Sequence, residues 1–415
     1  MLDDSAADDD DFDMLVAAVI VDSFANDEKK HGGCVEGHRV LHRDREAGHE
    51  RLFQDYMAEN PTYGPEIFRR RYRMSRDLFK RIMNKVEAHD PYFQQKRSAA
   101  NVLGLSCLQK VTAAMRMLTY GVPADATDEY VRIGESTAIE SLRKFVIAID
   151  EIFGDEYLRH PNEKDTARLL AMGEKQGFPG MLGSIDCMHW VWKNYPYEKQ
   201  GQYKGKEEKP TIVLEAVASD DLWIWHTFFG MPGSHNDINV LNRSPLFDNL
   251  AEGKAPEVNF SVNGHNYVMG YYLADGIYPT WATLVKSITK PMGNKRQYFA
   301  KAQEAARKMV ERAFGVLQSR FAIVRGAARF WDVETLTRIM RACVIMHNMI
   351  VEDEGFVVDP NEHFDYGGEN VQPEHDTAFI LFFWYGFFTF NFYESSASSI
   401  IFDFHLSSPF NIFQQ

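Results

Sequence analysis

The sequence predicts an α/β protein in which a mixed five-stranded sheet with helices follows an all-helical region. The pattern of apolar residues changes once along the 415-residue chain. Residues 51–160 repeat apolar positions at helical spacing, whereas residues from about 181 onward contain short runs rich in β-branched and aromatic residues. Apolar residues make up 45% of the chain and charged residues 25%, a composition that supports a buried core and excludes wholesale disorder.

Four segments are predicted. They are an acidic, mostly disordered tail at 1–50, a helical domain at 51–160, an α/β domain at 175–352, and an atypical, disordered Phe-rich tail at 353–415. Ten acidic and two basic residues lie in the first 30 positions, and the last 64 positions hold eleven acidic residues and no Lys or Arg. The body between them therefore carries a net charge of +5, although the whole chain carries −14. This central region could bind phosphate groups. Solvated acidic tails without a binding role explain the charge distribution equally well.

Several classes of protein are excluded by what the sequence lacks. The four cysteines form no CxxC pair, so neither a disulfide framework nor a zinc ribbon is expected, and a reducing compartment fits best. The apolar runs Met14–Val21 and Ala378–Tyr393 are shorter than the ~20 residues that a membrane helix needs. We therefore expect no membrane segment.

The helical region contains a strongly basic segment. Apolar residues recur every four positions from Met74 to Val86, which predicts one amphipathic helix over Phe68–Lys85 with a basic face. Its candidate DNA-phosphate contacts are Arg69, Arg70, Arg71 and Arg73. A solvated helix face or a nuclear import signal explains the same arginines.

The rest of the helical region has the order of a helix-turn-helix unit. The capping box at 106–109 starts a helix that ends at Gly121. A short helix over 125–131 and a third helix, capped by Ser136 and ended by Gly154, follow. No small residue lies where the two helices would cross, so plain helical packing is favoured over DNA recognition, and both interpretations stay open.

The second half of the chain has the element order β-β-β-α-β-α. The predicted strands are Met181–Trp192, Thr211–Ser219, Leu222–Gly230 and Val268–Ala274, with a turn at Asp220-Asp221. The predicted helices run from Asp237 towards Leu250, over Tyr298–Phe321 and over Val333–Val351. Three antiparallel strands, a crossover helix and a parallel strand describe the ribonuclease H-like layout.

Three carboxylates converge in this layout. Asp186 interrupts an apolar strand, Asp275 ends the fourth strand, and Glu311 lies on the long helix that crosses both. Converging carboxylates repel each other unless a cation joins them, and oxygen ligands suit Mg²⁺ or Mn²⁺. Each acid also has a simpler explanation: a hydrogen-bonded buried Asp, a turn dipeptide, or a helical ion pair of Glu311 with Arg307 or Lys308. Together, in this strand order, they favour a metal site.

Five motifs resemble the DDE domain of PIF/Harbinger transposases. They are Gly183-Ser184-Ile185-Asp186-Cys187-Met188-His189-Trp190, Pro232-Gly233-Ser234-His235-Asn236-Asp237-Ile238, Leu273-Ala274-Asp275-Gly276-Ile277-Tyr278-Pro279, Val310-Glu311-Arg312-Ala313-Phe314-Gly315-Val316-Leu317 and His347-Asn348. The resemblance runs from about 180 to 352. The helical region 50–155 also resembles the segment that precedes this domain in plant members.

The resemblance implies a DDE-type nuclease whose catalytic, metal-binding acids are Asp186, Asp275 and Glu311. It implies a divalent metal, Mg²⁺ or Mn²⁺, phosphodiester hydrolysis and strand transfer at transposon ends, and double-stranded DNA as the substrate. It further implies a nuclear location, a Myb-like partner protein and a homo-oligomer. Asp237 lies where the family also carries an acid, and it either helps the metal or DNA or caps its helix; we favour the cap.

Two questions stay open at this level. Arg307, Lys308 and Arg312 flank Glu311 and either hold DNA phosphates or pair with nearby acids. His347-Asn348 lies on an apolar helix and is interpreted as core. The alternative function is a domesticated, catalytically silent Harbinger-derived protein that binds chromatin or DNA as a regulator. All three acids are present, which favours the enzyme.

Overall fold

The computed structural model describes residues 41–205, 209–248, 258–262 and 264–355. The tails predicted at 1–50 and 353–415 lie largely outside these residues, although the first helix already begins at Arg45. Within the described part of the chain, no helix is long and apolar enough to span a bilayer. The architecture is the ribonuclease H-like α/β fold, a mixed sheet with helices behind a helical N-terminal region.

Twelve α-helices and seven strands are numbered here in chain order, within the described residues. The helices are α1 Arg45–Tyr56, α2 Pro65–Tyr72, α3 Arg76–His89, α4 Cys107–Tyr120, α5 Asp128–Val131, α6 Glu135–Tyr157, α7 Glu163–Lys175, α8 Gln200–Tyr203, α9 Asp237–Leu241, α10 Asn294–Arg320, α11 Ala322–Arg325 and α12 Val333–Asp353. The strands are β1 Met181–Val191, β2 Thr211–Ala218, β3 Ile224–Pro232, β4 Phe260–Val262, β5 His265–Tyr267, β6 Tyr271–Ala274 and β7 Leu284–Lys286.

The main sheet has the order β3-β2-β1-β6-β7, and β4 and β5 form a separate antiparallel pair. β1 pairs antiparallel with β2, β2 with β3 across the predicted Asp220-Asp221 turn, and β1 and β7 both pair parallel with β6. The fifth strand, β7, lies in a segment predicted as a loop. It is three residues long and is held by its pairing with β6, so local composition does not reveal it.

The prediction of one continuous basic helix over Phe68–Lys85 is wrong. The chain leaves α2 at Arg73, which has a left-handed backbone with φ 63°, and α3 starts afresh after Ser75. The Ser75 side chain accepts a hydrogen bond from the Leu78 amide at 3.1 Å, as an N-cap does. The apolar row survives the break, since Met74 and Leu78 are both buried.

Of the longer helices that follow, α4 agrees with the sequence prediction at both ends, whereas α6 differs at both. The capping box of α4 is present, and Gly121 ends this helix with φ 64°. α6 starts after Gly134 rather than at Ser136, and it continues through Gly154 to Tyr157. Gly154 does not end the helix, since its carbonyl oxygen accepts the i→i−4 hydrogen bond from the Leu158 amide at 2.8 Å.

The helical region and the sheet share one hydrophobic core. The same cluster of buried residues extends from Leu52 on α1 to Val351 on α12 and includes β1, β2 and β3 side chains. α6 packs along α12, where Arg338 and Arg341 both bind the Asp150 carboxylate. The helices before the sheet are therefore buried against the last helix of the chain.

Two polar side chains of α12 are buried in that core. His347 and Asn348 have no exposed surface, as expected for core positions. The Asn348 amide donates to the carbonyl oxygens of Tyr157 and Ile224, both at 2.8 Å, and accepts from the Ile224 amide at 2.9 Å. This residue thus joins the end of α6, the start of β3 and α12.

Candidate active site

Asp186 lies in the middle of the sheet, on the central strand β1. Its side chain is 19% exposed, and Oδ1 accepts a hydrogen bond from the Cys187 amide at 2.8 Å. Burial raises the pKa of the Asp186 carboxyl to about 6, against the opposing effects of the Cys187 amide and the Arg307 charge. The negative charges of Asp237 and Glu311 add to the increase. The four charged groups are therefore close enough to act on one another.

Asp275 follows β6 directly, on the strand next to β1. The parallel register pairs Gly183 with Tyr272 and Ser184 with Leu273. Continued by two residues, this register places Asp275 beside Asp186, and partners in neighbouring strands point to the same face. The Asp275 side chain accepts from the Gly276 amide in the turn that ends the strand. Asp275 thus leaves the sheet at the end of the strand that neighbours β1.

Glu311 reaches the same place from α10, which packs on β1. One turn earlier on this helix, Arg307 lies between two of the acids. Its Nη1 is 2.9 Å from Asp186 Oδ2, and its Nη2 is 3.1 Å from Glu311 Oε1. The i,i+4 spacing on α10 explains the contact of Arg307 with Glu311. The packing of α10 on β1 brings Arg307 to Asp186.

The donor set fits a hard divalent cation by its chemistry, because three carboxylates supply the oxygen ligands that Mg²⁺ and Mn²⁺ prefer. The Arg307 guanidinium pairs with two of these acids, Asp186 and Glu311. Among the described residues, no three His, Cys, Asp or Glu side chains are grouped closely enough to hold an ion. Of the three acids, the described contacts link Asp186 and Glu311, which share the Arg307 guanidinium.

Asp237 is not the cap of its helix, contrary to the interpretation we favoured. The N-cap of α9 is Asn236, whose Oδ1 accepts from the Asn239 amide at 2.9 Å. Asp237 occupies the first turn, and its charge raises the pKa values of both Asp186 and Cys187. It therefore lies at the border of the acid cluster.

The other two basic residues near Glu311 differ in their surroundings. The Arg312 guanidinium binds the Asp220 carboxylate in the turn between β2 and β3. Lys308 is exposed and follows Arg307 directly. Of the three basic residues singled out on this helix, two thus have acidic partners and one faces solvent.

Arg69 binds an acid at the end of the described chain. Its Nη2 contacts Glu354, the residue that follows α12, and the same carboxylate binds Arg320. Arg69 is half exposed, with 50% of its side chain accessible. Its contact ties α2 to the C-terminal end of α12.

The remaining α2 arginines interact with aromatic rings. The Arg71 guanidinium lies 4.0 Å from the centre of the Tyr63 ring, and that of Arg73 lies 5.7 Å from the centre of Tyr120. Arg70 is exposed and contacts no side chain in the described part of the chain. The basic patch predicted from the sequence is therefore partly an internal arginine–tyrosine layer, and its role in DNA binding stays a prediction.

Sequence reasoning missed one buried acid. Glu215 interrupts the apolar strand β2 much as Asp186 interrupts β1, and this single acid in TIVLEAVAS was a visible signal. It pairs in register with Cys187, whereas Asp186 pairs with Ala216, so Glu215 faces the opposite side of the sheet. It is fully buried, with Oε1 3.4 Å from His226 Nε2. Glu215 is thus separate from the acid cluster.

Comparison with known proteins agrees with this architecture. Residues 155–358 match the family model of a plant transposon protein, and residues 48–87 match a domain of unknown function. "Protein ALP1-like" of Arabidopsis thaliana is 26% identical over 299 residues, which cover 71% of this chain and 73% of that protein. "Putative nuclease HARBI1" of Homo sapiens is 22% identical over 249 residues, which cover 59% of this chain and 67% of that protein.

The bovine protein of the same name is 24% identical over 232 residues, 53% of this chain and 62% of its own length. No solved structure matches the chain. The transposon-protein match spans the whole sheet with α10 and α12, and the relatives extend the similarity into the helical region. These similarities to a plant transposon protein and to putative nucleases support a Harbinger transposase-derived protein.

Proposed function

We propose that the chain is a metal-dependent DNA endonuclease that hydrolyses phosphodiester bonds and transfers strands at transposon ends. One observation carries the proposal: Asp186 lies on β1, Asp275 directly follows β6, the parallel neighbour of β1, and Glu311 is linked to Asp186 through Arg307. The match to a plant transposon protein model and the similarity to putative nucleases support the same assignment.

Each acid would contribute from a different element. Asp186 presents an oxygen from the buried centre of the sheet, Asp275 from a strand end, and Glu311 from the helix that crosses them. Mg²⁺ or Mn²⁺ held by these acids would activate the attacking hydroxyl and stabilise the leaving oxygen. The sheet and α10 fix the acids in advance, so little rearrangement of the backbone is required.

Double-stranded DNA is the proposed substrate, and a nuclear location, a Myb-like partner and a homo-oligomer belong to the same proposal. Phosphate contacts would come first from basic side chains that face solvent. Arg70 on α2 and Lys308 on α10 are exposed, and Lys308 lies on the helix that carries Glu311. Their effect on affinity should weaken as salt increases.

The test is a plasmid-nicking assay with purified full-length protein and MnCl₂. Wild-type protein should convert supercoiled plasmid to the nicked form, and Asp186→Asn and Glu311→Gln should each reduce the rate by at least about 100-fold, because each removes a metal ligand. Glu304→Gln changes an exposed acid on the same helix, two turns before Glu311, and should leave the rate unchanged.

The opposite result would reverse the assignment. If wild-type protein neither nicks plasmid nor binds Mn²⁺ in calorimetry, with or without DNA, the enzyme is not supported. The catalytically silent regulator would then be the better description.

A further inference from the structure

The Arg307 guanidinium already supplies the positive charge that two of the acids need. It contacts Asp186 through one terminal nitrogen at 2.9 Å and Glu311 through the other at 3.1 Å. Its side chain is only 17% exposed, so the two ion pairs are partly shielded from water. Charge interactions are stronger where water is partly excluded. A cation tethered here must oppose the binding of a second, free cation by the same carboxylates.

One hydrogen-bond donor of the Arg307 side chain has no acceptor in the described structure. Its Nε is buried and has no hydrogen-bond partner. Arg307 donates one hydrogen bond, to Asp186 Oδ2, and forms an ion pair with Glu311, whereas a guanidinium can offer a parallel pair of hydrogen bonds to a single carboxylate or phosphate. A buried N–H without a partner disfavours the arrangement. An acceptor that satisfied more of the Arg307 N–H groups would therefore compete with these partners.

Phosphate is the acceptor that fits this location. A guanidinium matches phosphate oxygens in a bidentate geometry. Lys308, next to Arg307, is exposed on the same helix, so a DNA strand approaching α10 would meet positive charge there first. An arginine drawn to that strand would leave Asp186 and Glu311 with two uncompensated negative charges.

We propose that Arg307 is a positioning residue that pairs with Asp186 and Glu311 in the free protein and moves to a DNA phosphate in the complex, so that DNA binding opens the acids to a divalent ion. This rests on the proposed function. By thermodynamic linkage, DNA tightens metal binding and metal tightens DNA binding by the same factor. Free protein then binds metal weakly when no DNA is present.

The first measurement is calorimetric titration of the full chain with MnCl₂ alone. Arg307→Gln should bind Mn²⁺ at least about tenfold more tightly than wild type, because it removes a positive charge next to the acids. Arg307→Met, which keeps the apolar stem, should do the same and serves if the first variant fails to fold. Lys301→Gln makes an equal change of charge on an exposed part of α10 and should leave the affinity unchanged.

The second measurement is fluorescence anisotropy of a labelled DNA duplex with and without MnCl₂. The ratio of the two DNA affinities should be smaller in Arg307→Gln than in wild type by about the same tenfold factor, since the variant has already lost the penalty that DNA removes.

The outcomes separate the two proposals. Weaker or unchanged Mn²⁺ binding by both Arg307 variants, with binding lost in Asp186→Asn, would overturn this inference and leave the nuclease intact. Mn²⁺ binding that is absent in wild type and in both Arg307 variants, or equal in wild type and Asp186→Asn, would refute the metal site itself.

Discussion

Replacing Asn348 by alanine should lower the free energy of unfolding by about 3–4 kcal/mol, since three buried hydrogen bonds contribute ~1 kcal/mol each and their backbone partners lose this contact. The side chain is fully buried, and its bonds reach the backbone of Tyr157 and Ile224. The loss would thus weaken the junction between the helical region and the sheet.

The assay is urea unfolding of the full chain, followed by tryptophan fluorescence. Trp223 is a suitable reporter because its ring stacks on Tyr157 with centroids 5.9 Å apart. Asn84→Ala, on the exposed side of α3, is the matched control and should change stability by no more than about 0.5 kcal/mol. If Asn348→Ala also remained within that range, the three bonds would not hold the junction, and the reasoning would fail.

Two further predictions concern stability. Burial alone would raise the pKa of the Asp150 carboxyl, but the hydrogen bonds and charges of its two α12 arginines hold it below its ordinary value. Asp150→Asn should therefore cost about 1.5–3 kcal/mol at pH 7. The difference from wild type should shrink below about pH 4, where the carboxyl in the unfolded chain begins to bind a proton that the folded protein takes up only at lower pH. A difference in thermal stability that stays constant down to pH 3 would contradict this. Gly183→Ala should lower the free energy of unfolding by about 1–3 kcal/mol. The reason is that φ at Gly183 is 156° and an added Cβ would lie 2.6 Å from the Ala218 carbonyl oxygen. Gly201→Ala, with open space around it, is the control in the same unfolding assay.

Features fixed by a few neighbouring residues were predictable from the sequence. The capping box at Ser106 and the β2–β3 hairpin depend on local hydrogen bonds and alternation, and both are present. The order of strands and helices then sufficed to predict the sheet and the elements that carry Asp186, Asp275 and Glu311. The rules for connecting strands and helices allow only a few folds for this order of elements.

Features fixed by tertiary contacts were not predictable in the same way. The break at Arg73 was concealed because the apolar row continues across it, although Ser75 followed by Asp77 is a helix-start signal. The spacing of Arg307 and Glu311 indicated an ion pair, but the contact with Asp186 joins positions 121 residues apart. No sequence period reports such a contact, so the shared guanidinium could only be found in three dimensions.

The packing of α6 on α12 also constrains the order in which the chain is made. During synthesis, α6 leaves the ribosome well over a hundred residues before α12, at roughly 5–20 residues per second. Until then, α6 can pack only on the helices made before it and lacks the partner that lies along it in the finished protein. The newly made N-terminal half is therefore open to aggregation for many seconds, and a ribosome that stops before residue 333 releases a product that cannot complete its core.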